Sequence, residues 1–431
     1  MDQPSWSIPS YDCPSIFDDV CRWLCENDVD QQMEEISIDS YIWDQSVSNN
    51  SSDVCAYVPY ELQSSVVHED DAIETESCLG LENLLMAQAE AMGLGQIKLA
   101  EVIQNCVSQK ASPVGLALER LALNLFKSQE EEYLKQEAMK IFKKAFTTFY
   151  TVFPYGRLAH FTANSVITEE VPPYVETIHI VDFDLCEGSQ WPPVMEAIAK
   201  MHKSLIIIRI KPNQDHDSQF EQTKRQLCSF ARSIGLTFKV QEMDISQIGT
   251  KMEGKEFVVF NCMVDLPHMG RTRNRNEVTD FLKQARAILT KNKGIITFGD
   301  GEECERMKNS SDFSSFFNKN LTHYKALYES MEWGFPSNLT EARMTMETLF
   351  VAPFISSKSW FQKWEEQREH MALQMGFGLK GRPMSRESFN EARELVREGE
   401  SPYEIRIEGQ NGNEMVLEWK GTPLVRVSAW M

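Results

Sequence analysis

The fold of this chain is decided by the stretch Ile178-His179-Ile180-Val181-Asp182-Phe183 and the turn that follows it, Asp184-Leu185-Cys186-Glu187-Gly188-Ser189-Gln190-Trp191-Pro192-Pro193. The almost continuous apolar run is typical of a strand that is buried on both faces of a parallel sheet. The proline pair predicts a helix near 192–201, because proline is tolerated in a first helical turn. We interpret this segment as the first strand and helix of an α/β sheet.

Strands and helices alternate downstream of this unit. The predicted strands are Leu205–Ile210, Phe238–Val240, Phe257–Phe260, Gly294–Phe298 and Thr348–Ala352, with helices near Ser218–Ser233, Glu277–Leu289 and Asp312–Met331. Three later stretches predict an antiparallel meander: Tyr403–Glu408, Glu414–Trp419 and Leu424–Ala429. The pattern indicates a Rossmann-type parallel sheet with a C-terminal antiparallel extension.

Helical periodicity precedes the sheet. One apolar face is formed by Leu81, Leu84, Leu85 and Ala89, and a second by Leu99, Val102, Ile103, Cys106 and Val107. Ser112-Pro113 predicts the start of a helix that carries Leu116–Leu125, and Glu130–Tyr150 is also amphipathic. We interpret about 79–170 as a helical cap before an α/β core at about 171–431. The leucine faces either pack in the core, our default, or form an oligomer seam.

Charge divides the chain unevenly. The whole sequence carries a net charge of −21, and residues 1–80 hold 18 acidic side chains against one basic side chain, Arg22. Aromatic residues such as Trp6, Trp23 and Trp43 are dispersed through this acidic segment. Such a composition is typical of disordered, acidic-hydrophobic activation segments, and of solvating tails. We predict that residues 1–78 are a disordered region that acts in activation or partner docking.

Composition also argues against several classes of protein. No run approaches 18 apolar residues, so we expect no transmembrane helix, and the N-terminus lacks the pattern of a secretory signal. The ten cysteines are scattered without a C-x-x-C pair, which indicates a reducing compartment and no structural zinc site. The acidic balance disfavours strong non-specific nucleic-acid binding but leaves a local basic patch open.

The turn after the first strand is a poor cofactor loop. It contains one glycine, Gly188, whereas a nucleotide or S-adenosylmethionine cradle usually needs several, and its acids would repel a pyrophosphate. Arg209 stands where a ribose-binding acid is expected after the second strand. We interpret Asp182 and Asp184 as acceptors for loop amides, Trp191 as a filler of the strand–helix junction, and His179 as a core residue. We predict no cofactor, no metal site and no catalysis.

A separate basic cluster is Arg271-Thr272-Arg273-Asn274-Arg275, which leads into a helix. Its guanidinium groups could bind phosphate or an acidic partner surface, or they could form a solvated loop. Lys291 and Lys293 would extend the patch only if the fold brought them close.

Several ordered motifs resemble those of the GRAS family of plant transcriptional regulators. Ile178, His179, Ile180, Val181 and Asp182 resemble the family's Val-His-Ile-Ile-Asp motif, and the closing Ser428, Ala429 and Trp430 resemble its terminal Ser-Ala-Trp motif. Phe161–Asn164 and a leucine-rich segment around Leu227 fit the same order. The resemblance spans about 81–431, and its details are similar to the nodulation-signalling-pathway type 2 branch. The family's frequent Arg-Val-Glu-Arg stretch is not recognisable; Lys358–Trp364 occupies that region.

The resemblance implies a methyltransferase-like fold that is used for protein association in the nucleus. It makes Leu81, Leu84, Leu85 and Leu227 candidate partner-surface residues. It further implies a co-regulator that pairs with other GRAS proteins or transcription factors, as a homodimer or a heterodimer, in symbiotic or strigolactone-related expression. The alternatives are a GRAS factor that binds DNA directly through Arg271, Arg273 and Arg275 and, from the fold type alone, an S-adenosylmethionine-dependent methyltransferase.

Overall fold

The computed structural model describes residues 69–126, 142–211, 218–252, 254–270, 274–301, 310–335, 340–369 and 379–431. Helices come first: α1 (Glu69–Gly93), α2 (Ile97–Ser108), α3 (Ala117–Leu125), α4 (Phe142–Val152) and α5 (Pro154–Glu170). Helix α1 therefore begins inside the segment that the sequence assigns to the acidic region. Of the predicted amphipathic stretch Glu130–Tyr150, the part before 142 lies outside the described residues.

The predicted alternation of strands and helices is confirmed. The elements are β1 (Thr177–Asp182), α6 (Trp191–Lys200), β2 (Ser204–Ile210), α7 (Ser218–Ser233), β3 (Phe238–Met243), α8 (Ile248–Met252), β4 (Val258–Val264), α9 (Arg275–Leu289) and β5 (Gly294–Asp300). The five strands pair in parallel in the order β3-β2-β1-β4-β5. This order is that of a doubly wound sheet, in which the carboxyl ends of all the strands meet at one edge.

The C-terminal part extends the same sheet. Its elements are α10 (Phe313–Gly334), α11 (Thr340–Phe350), α12 (Ser357–Glu369), α13 (Arg386–Leu395), β6 (Tyr403–Glu408), β7 (Glu414–Trp419) and β8 (Thr422–Trp430). Strand β8 pairs antiparallel with β5, and β7 and β6 continue outward from it. The described residues therefore form one eight-stranded sheet, which confirms the predicted α/β class, the N-terminal helices and the antiparallel extension.

Two local predictions are wrong. Thr348–Ala352 is not a strand, because α11 runs through Phe350 and a short 3-10 helix follows at Ala352–Phe354. Ser112-Pro113 does not begin the third helix; the N-cap is Leu116. A five-residue apolar run cannot be assigned to helix or strand by periodicity alone, and a cap signal is only a local preference that packing can override.

Helix α5 fixes the geometry of the sheet's C-terminal edge. It contacts β4, β5, β7 and β8, and most of its side chains are buried, including the polar residues His160, Thr162 and Asn164. Because the helix is buried almost all round, its sequence shows no strong amphipathic stripe. The packing carries Asn164 to the carboxyl ends of the strands.

A buried ionic cluster joins the N-terminal helices to the body. Arg120 Nε lies 3.2 Å from Glu347 Oε2 on α11, and Arg120 Nη2 lies 3.1 Å from Glu332 Oε2 on α10. Arg343 completes the cluster at 3.2 Å from Glu332. Burial raises the pKa of Glu347 to about 7 despite the two arginines that lower it. Glu347 pairs with both arginines, so loss of either arginine would leave this buried carboxylate with a single cation, which is destabilising.

Candidate functional site

The carboxyl ends of the strands hold a row of polar side chains that runs across the sheet. Asp182 on β1 is paired in register with Asn261 on β4, and Asn261 with Thr297 on β5. All three residues are buried. In an open α/β sheet this is the edge at which ligands bind, so what fills it decides whether a small molecule has room.

Asp182 is engaged on both of its oxygens. Oδ1 accepts a hydrogen bond from Asn261 Nδ2 at 2.9 Å, and Oδ2 accepts one from Trp191 Nε1 at 3.0 Å. The pKa of Asp182 is raised to about 7, chiefly by burial and also by the charge of Asp184, against the hydrogen bonds from Asn261 and Trp191 that lower it. Asp182 also accepts a hydrogen bond from the Asp184 backbone amide, and Asp184 accepts one from the Cys186 amide, as the sequence predicted for this turn. Trp191 fills the strand–helix junction as predicted.

Gln190 closes the network around Asn261. The two side-chain amides exchange a pair of hydrogen bonds, of 3.0 and 3.1 Å, and Thr297 Oγ1 donates to Asn261 Oδ1 at 2.9 Å. Asn164 on α5 donates to the Gln190 carbonyl at 2.8 Å. The side chains therefore satisfy one another, and this self-contained network occupies the edge.

The single glycine of the turn serves helix packing. Gly188 has φ +76°, and a Cβ atom there would lie 2.8 Å from Thr223 Cγ2 on α7. Its nearest neighbours thus belong to the protein, in Thr223 and Leu227, and not to an open cradle. A glycine that faces a ligand would instead leave room for a phosphate or an adenosyl group.

The end of β2 also departs from a cofactor site. Arg209 is buried, lies 3.6 Å from Glu242 Oε1 on β3, and stacks on the Phe220 ring with 4.6 Å between guanidinium carbon and ring centroid. An acid at this place would accept from a ribose hydroxyl, whereas Arg209 carries donors only. The residues present do not fit S-adenosylmethionine, so we derive no chemical step through that cofactor.

His179 lies near the opposite end of β1. It is half-buried, and its pKa is lowered first by burial and then by the charge of Lys255. Three residues of strand separate it from Asp182, a rise of about 10 Å, so the two side chains do not share a site. Ile178, Ile180 and Val181 are core residues. The central motif therefore builds the sheet.

A second buried polar cluster lies beside this edge and was not predicted from the sequence. Tyr150 OH lies 2.8 Å from His160 Nδ1, and the rings of His160 and His268 meet edge to face at 4.9 Å. Burial and the proximity of His268 hold the pKa of His160 well below its usual range. Because Tyr150, His160 and His268 lie on separate elements, no sequence spacing predicts this cluster. The described residues contain no group of three or more His, Cys, Asp or Glu side chains suited to a metal ion.

The C-terminal motif is structural. Ser428, Ala429 and Trp430 are buried in β8, where Ala429 is paired with Thr297 of the polar row. Trp430 Nε1 donates to Ser428 Oγ at 3.1 Å. The motif joins the antiparallel extension to β5.

Three of the four candidate partner-surface leucines are corrected by the structure. Leu81 and Leu85 of α1 and Leu227 of α7 are buried in the chain's own core, and Leu84 packs partly against it. They are therefore not available to a partner, because α1 lies on α10 and α7 lies against the β1–α6 turn. The default interpretation of core packing holds for them.

An exposed apolar face lies on α2, within the second apolar face that the sequence predicted. On α2, only Ala100 and Val107 are buried, whereas Leu99 is 48% and Val102 is 59% exposed. At 100° a residue, these two and Cys106 lie within about 60° of one another around the helix. The apolar arc of α2 is thus wider than its packing on α1 uses. The sequence showed the width of this apolar arc but not which of its residues the rest of the chain buries.

The basic cluster remains a prediction. Arg271 and Arg273 lie outside the described residues, as does the side chain of Arg275, whose backbone begins α9. Lys291 and Lys293 do not extend the cluster, because the 15 residues of α9 separate them from it by about 22 Å of helix.

These features define a class of protein: a Rossmann-type sheet whose ligand edge is occupied by hydrogen-bonded side chains of its own. The chain belongs to the GRAS domain family, whose sequence profile matches residues 81–431. The family consists of plant transcriptional regulators.

Individual relatives sharpen this assignment. The chain is 29% identical over 301 residues to Protein NODULATION SIGNALING PATHWAY 2 of Medicago truncatula, which covers 66% of this chain and 58% of that protein. The protein of the same name in Lotus japonicus is also 29% identical, over 302 residues with the same coverage. The chain thus spans about 58% of the length of these curated relatives. The crystal structure of SCL7 from Oryza sativa matches with a TM-score of 0.59 at 21% identity, covering 81% of this chain and 99% of that one, which supports the fold.

Proposed function

We propose that this protein is a nuclear co-regulator of plant transcription that acts by associating with a different GRAS regulator through the exposed apolar face of α2. The observation that carries the proposal is that face, defined by Leu99, Val102 and Cys106. An apolar surface left uncovered on a folded domain is typical of an interaction site. The filled ligand edge supports the same interpretation, because the sheet then serves as a scaffold for macromolecules.

The surroundings of the face fit a protein partner. Leu94 in the turn before α2 and Ile97 at its start are also exposed, and Lys98 and Glu101 supply exposed charges beside the apolar side chains. An apolar centre with a polar rim is the usual anatomy of a protein interface. Full burial of Leu99 and Val102 would contribute about 1.5–3 kcal/mol each.

The charge of the chain favours a heterodimer over a homodimer. Residues 1–80 carry 18 acidic side chains against one basic side chain, so a second copy would bring a second strongly acidic segment to the same complex. Like charge on both partners opposes association, whereas a less acidic GRAS protein avoids that cost. We therefore commit to a different member of the family as the occupant.

The test is pairwise binding of the purified full chain to candidate GRAS regulators from the same plant, followed by mass determination of the complex. Leu99→Glu with Val102→Glu should weaken a one-to-one complex about a hundredfold or more, because two buried side chains are lost from its centre. Val152→Glu changes an equally exposed apolar residue on α4 and is the matched control. Equal affinity of all three proteins would contradict the proposal.

The biological setting is proposed from similarity. The names of the matched NODULATION SIGNALING PATHWAY 2 proteins support a role in nodulation signalling, and we extend the proposal to symbiotic or strigolactone-related expression. Expression of the chain in legume roots that lack their own protein of this type should restore nodules, and the α2 double variant should fail to do so. Restoration of nodules by the double variant would support the symbiotic role and contradict the α2 interface.

The acidic segment is proposed to activate transcription. Deletion of residues 1–68 should reduce activation of a reporter gene because it removes 13 acidic side chains and their interspersed aromatic residues. Unchanged reporter activity would contradict this role.

A further inference from the structure

The two edges of the parallel sheet carry opposite charge. The described stretches that lead into the strands are 171–176, 200–203, 232–237, 251–252, 254–257 and 290–293, and together they hold seven cationic and two anionic side chains. The described stretches that follow the strands are 183–190, 211, 244–247, 265–270 and 310–312, and they hold one cationic and five anionic side chains. We call the first edge the basic edge. It stands out in a chain whose net charge is −21.

Contacts bring the basic edge together. Lys203 donates to the Pro173 carbonyl at 2.8 Å, and Lys293 Nζ lies 3.0 Å from Tyr174 OH. The Asn292 side chain donates to the Met252 carbonyl at 2.8 Å. The stretches before β1, β2, β4 and β5 therefore form one continuous surface.

Local structure accounts for only part of this charge. Lys203 is held by backbone carbonyls, and cations near helix C-termini offset the helix dipole. Lys251, Lys291 and Lys293 are nevertheless exposed, and none of them forms an ion pair with a carboxylate in the part of the chain that the structure describes. Their field is available to an acidic ligand.

Apolar groups lie among these lysines. Tyr174 is 57% exposed with Lys293 Nζ 5.2 Å from its ring centroid, and Met201 is 38% exposed. A ligand that combines carboxylates with aromatic rings would contact both kinds of group, through ion pairs, through ring contacts and through cation–π interactions.

We propose that the chain's own N-terminal segment, residues 1–68, docks on the basic edge. The segment holds 13 acidic side chains, one basic side chain and the aromatic residues Trp6, Trp23 and Trp43. A random coil of 68 residues has an average end-to-end distance of about 45 Å, comparable to the diameter of a body of this size. Tethering supplies an effective concentration in the millimolar range, so weak contacts suffice.

An intramolecular acidic ligand explains the surface better than nucleic acid does. A phosphate backbone would meet the repulsion of a chain with net charge −21, whereas docking of residues 1–68 brings the acidic segment to the cations of the same molecule. The docked segment would be withheld from other proteins, and a partner that bound it would have to displace it. This inference does not depend on the α2 face.

Carbodiimide coupling of the full-length chain at low protein concentration tests the proposal. The reagent joins a carboxylate to a lysine amine as an amide, with loss of water, only where the two touch. Peptide mass spectrometry should find the carboxylates of 1–68 joined mainly to Lys251, Lys255, Lys291 and Lys293. These links should be present at about 0.05 M salt and lost at about 0.5 M, because exposed ion pairs are screened.

Charge reversal supplies the matched comparison. Lys251→Glu, Lys291→Glu and Lys293→Glu together should reduce the links that remain at Lys255 about tenfold, because several ion pairs become repulsive. Lys283→Glu, Lys358→Glu and Lys420→Glu make the same change of charge at exposed lysines elsewhere and should leave the links unchanged. Melting curves of both variants establish that each is folded.

Three results would overturn the proposal. Links spread over Lys283, Lys358 and Lys420 as densely as over the basic edge would show that no docking site exists. In a mixture of isotope-labelled and unlabelled protein, links between the two would assign the surface to a second copy. Tight binding of duplex DNA that the edge variant abolishes, together with unchanged links of 1–68, would assign it to nucleic acid.

Discussion

The two edges of the parallel sheet arise from the same alternation of strands and helices, yet they carry different kinds of side chain. Where the strands end, Asp182, Asn261 and Gln190 bond to one another and leave the edge closed. Where the strands begin, Lys251, Lys291 and Lys293 point charge at solvent. The edge at which this fold usually binds ligands is thus the edge whose polar side chains hydrogen-bond to one another. Fold alone does not tell which edge of a sheet is available for binding.

The closed edge should be the more sensitive to substitution. Asn261→Leu removes the hydrogen-bond partner of Asp182 Oδ1, Gln190 Oε1 and Thr297 Oγ1, so we expect the free energy of unfolding to fall by about 3 kcal/mol. Urea unfolding measures it, with Lys291→Leu at the open edge as the comparison, where we expect a change within about 0.5 kcal/mol. Similar losses of unfolding free energy in the Asn261 and Lys291 variants would contradict the distinction between a closed and an open edge.

Gly188 tests whether the turn is packed or open. Gly188→Ala meets both a positive φ and Thr223 Cγ2, so we expect a loss of about 2 kcal/mol in unfolding free energy. Gly235→Ala has a similar φ, +71°, with no atom within 4 Å, and should cost about 1 kcal/mol. Thr223→Ser should recover part of the difference in the Gly188→Ala background. Equal losses at the two glycines would mean that the turn has room for a ligand.

The histidine pair beside the closed edge should make the free energy of unfolding depend on pH. Because burial lowers the pKa of His160, the unfolded chain binds this proton more readily than the folded chain does. Its contribution to stability is therefore lost as pH falls below the unfolded value of about 6.5. His160→Gln removes that titration next to Tyr150 and His268. Near pH 5.5 we expect the variant to regain about 1 kcal/mol relative to the parent, compared with pH 7.5. The same difference in unfolding free energy between parent and variant at both pH values would contradict this role of His160.

The smallest expected effect concerns the basic cluster after β4. Arg271→Ala, Arg273→Ala and Arg275→Ala together should change the melting temperature little. If the chain contacts promoter DNA directly through them, the triple variant should lose that binding and its salt dependence, as measured by fluorescence anisotropy. Unchanged DNA binding by the triple variant would show that these arginines are not the DNA-binding residues of a directly binding GRAS factor.

Sequence reasoning reached the regular parts of the fold. Continuous apolar strands, separated by helices, can pack only as a parallel sheet covered on both faces, so β1 to β5 followed from composition. The scarcity of glycine after β1 also indicated a poor cofactor loop. By contrast, α11 was missed because its last apolar residues form a run too short to show a period. Helix α5 was not assigned an element because its buried polar residues hide the apolar stripe.

The sequence by itself determined the family, the order of the strands along the chain and the separation of charge between the acidic segment and the body, because these depend on residue type and local spacing. Only the tertiary structure decided that Leu81, Leu85 and Leu227 are covered while Leu99 and Val102 are not. It also decided that Asn261 meets Asp182 and Gln190. Such pairings join residues far apart in the chain, and apolar or amide side chains look alike whether their neighbour is the protein itself or another molecule.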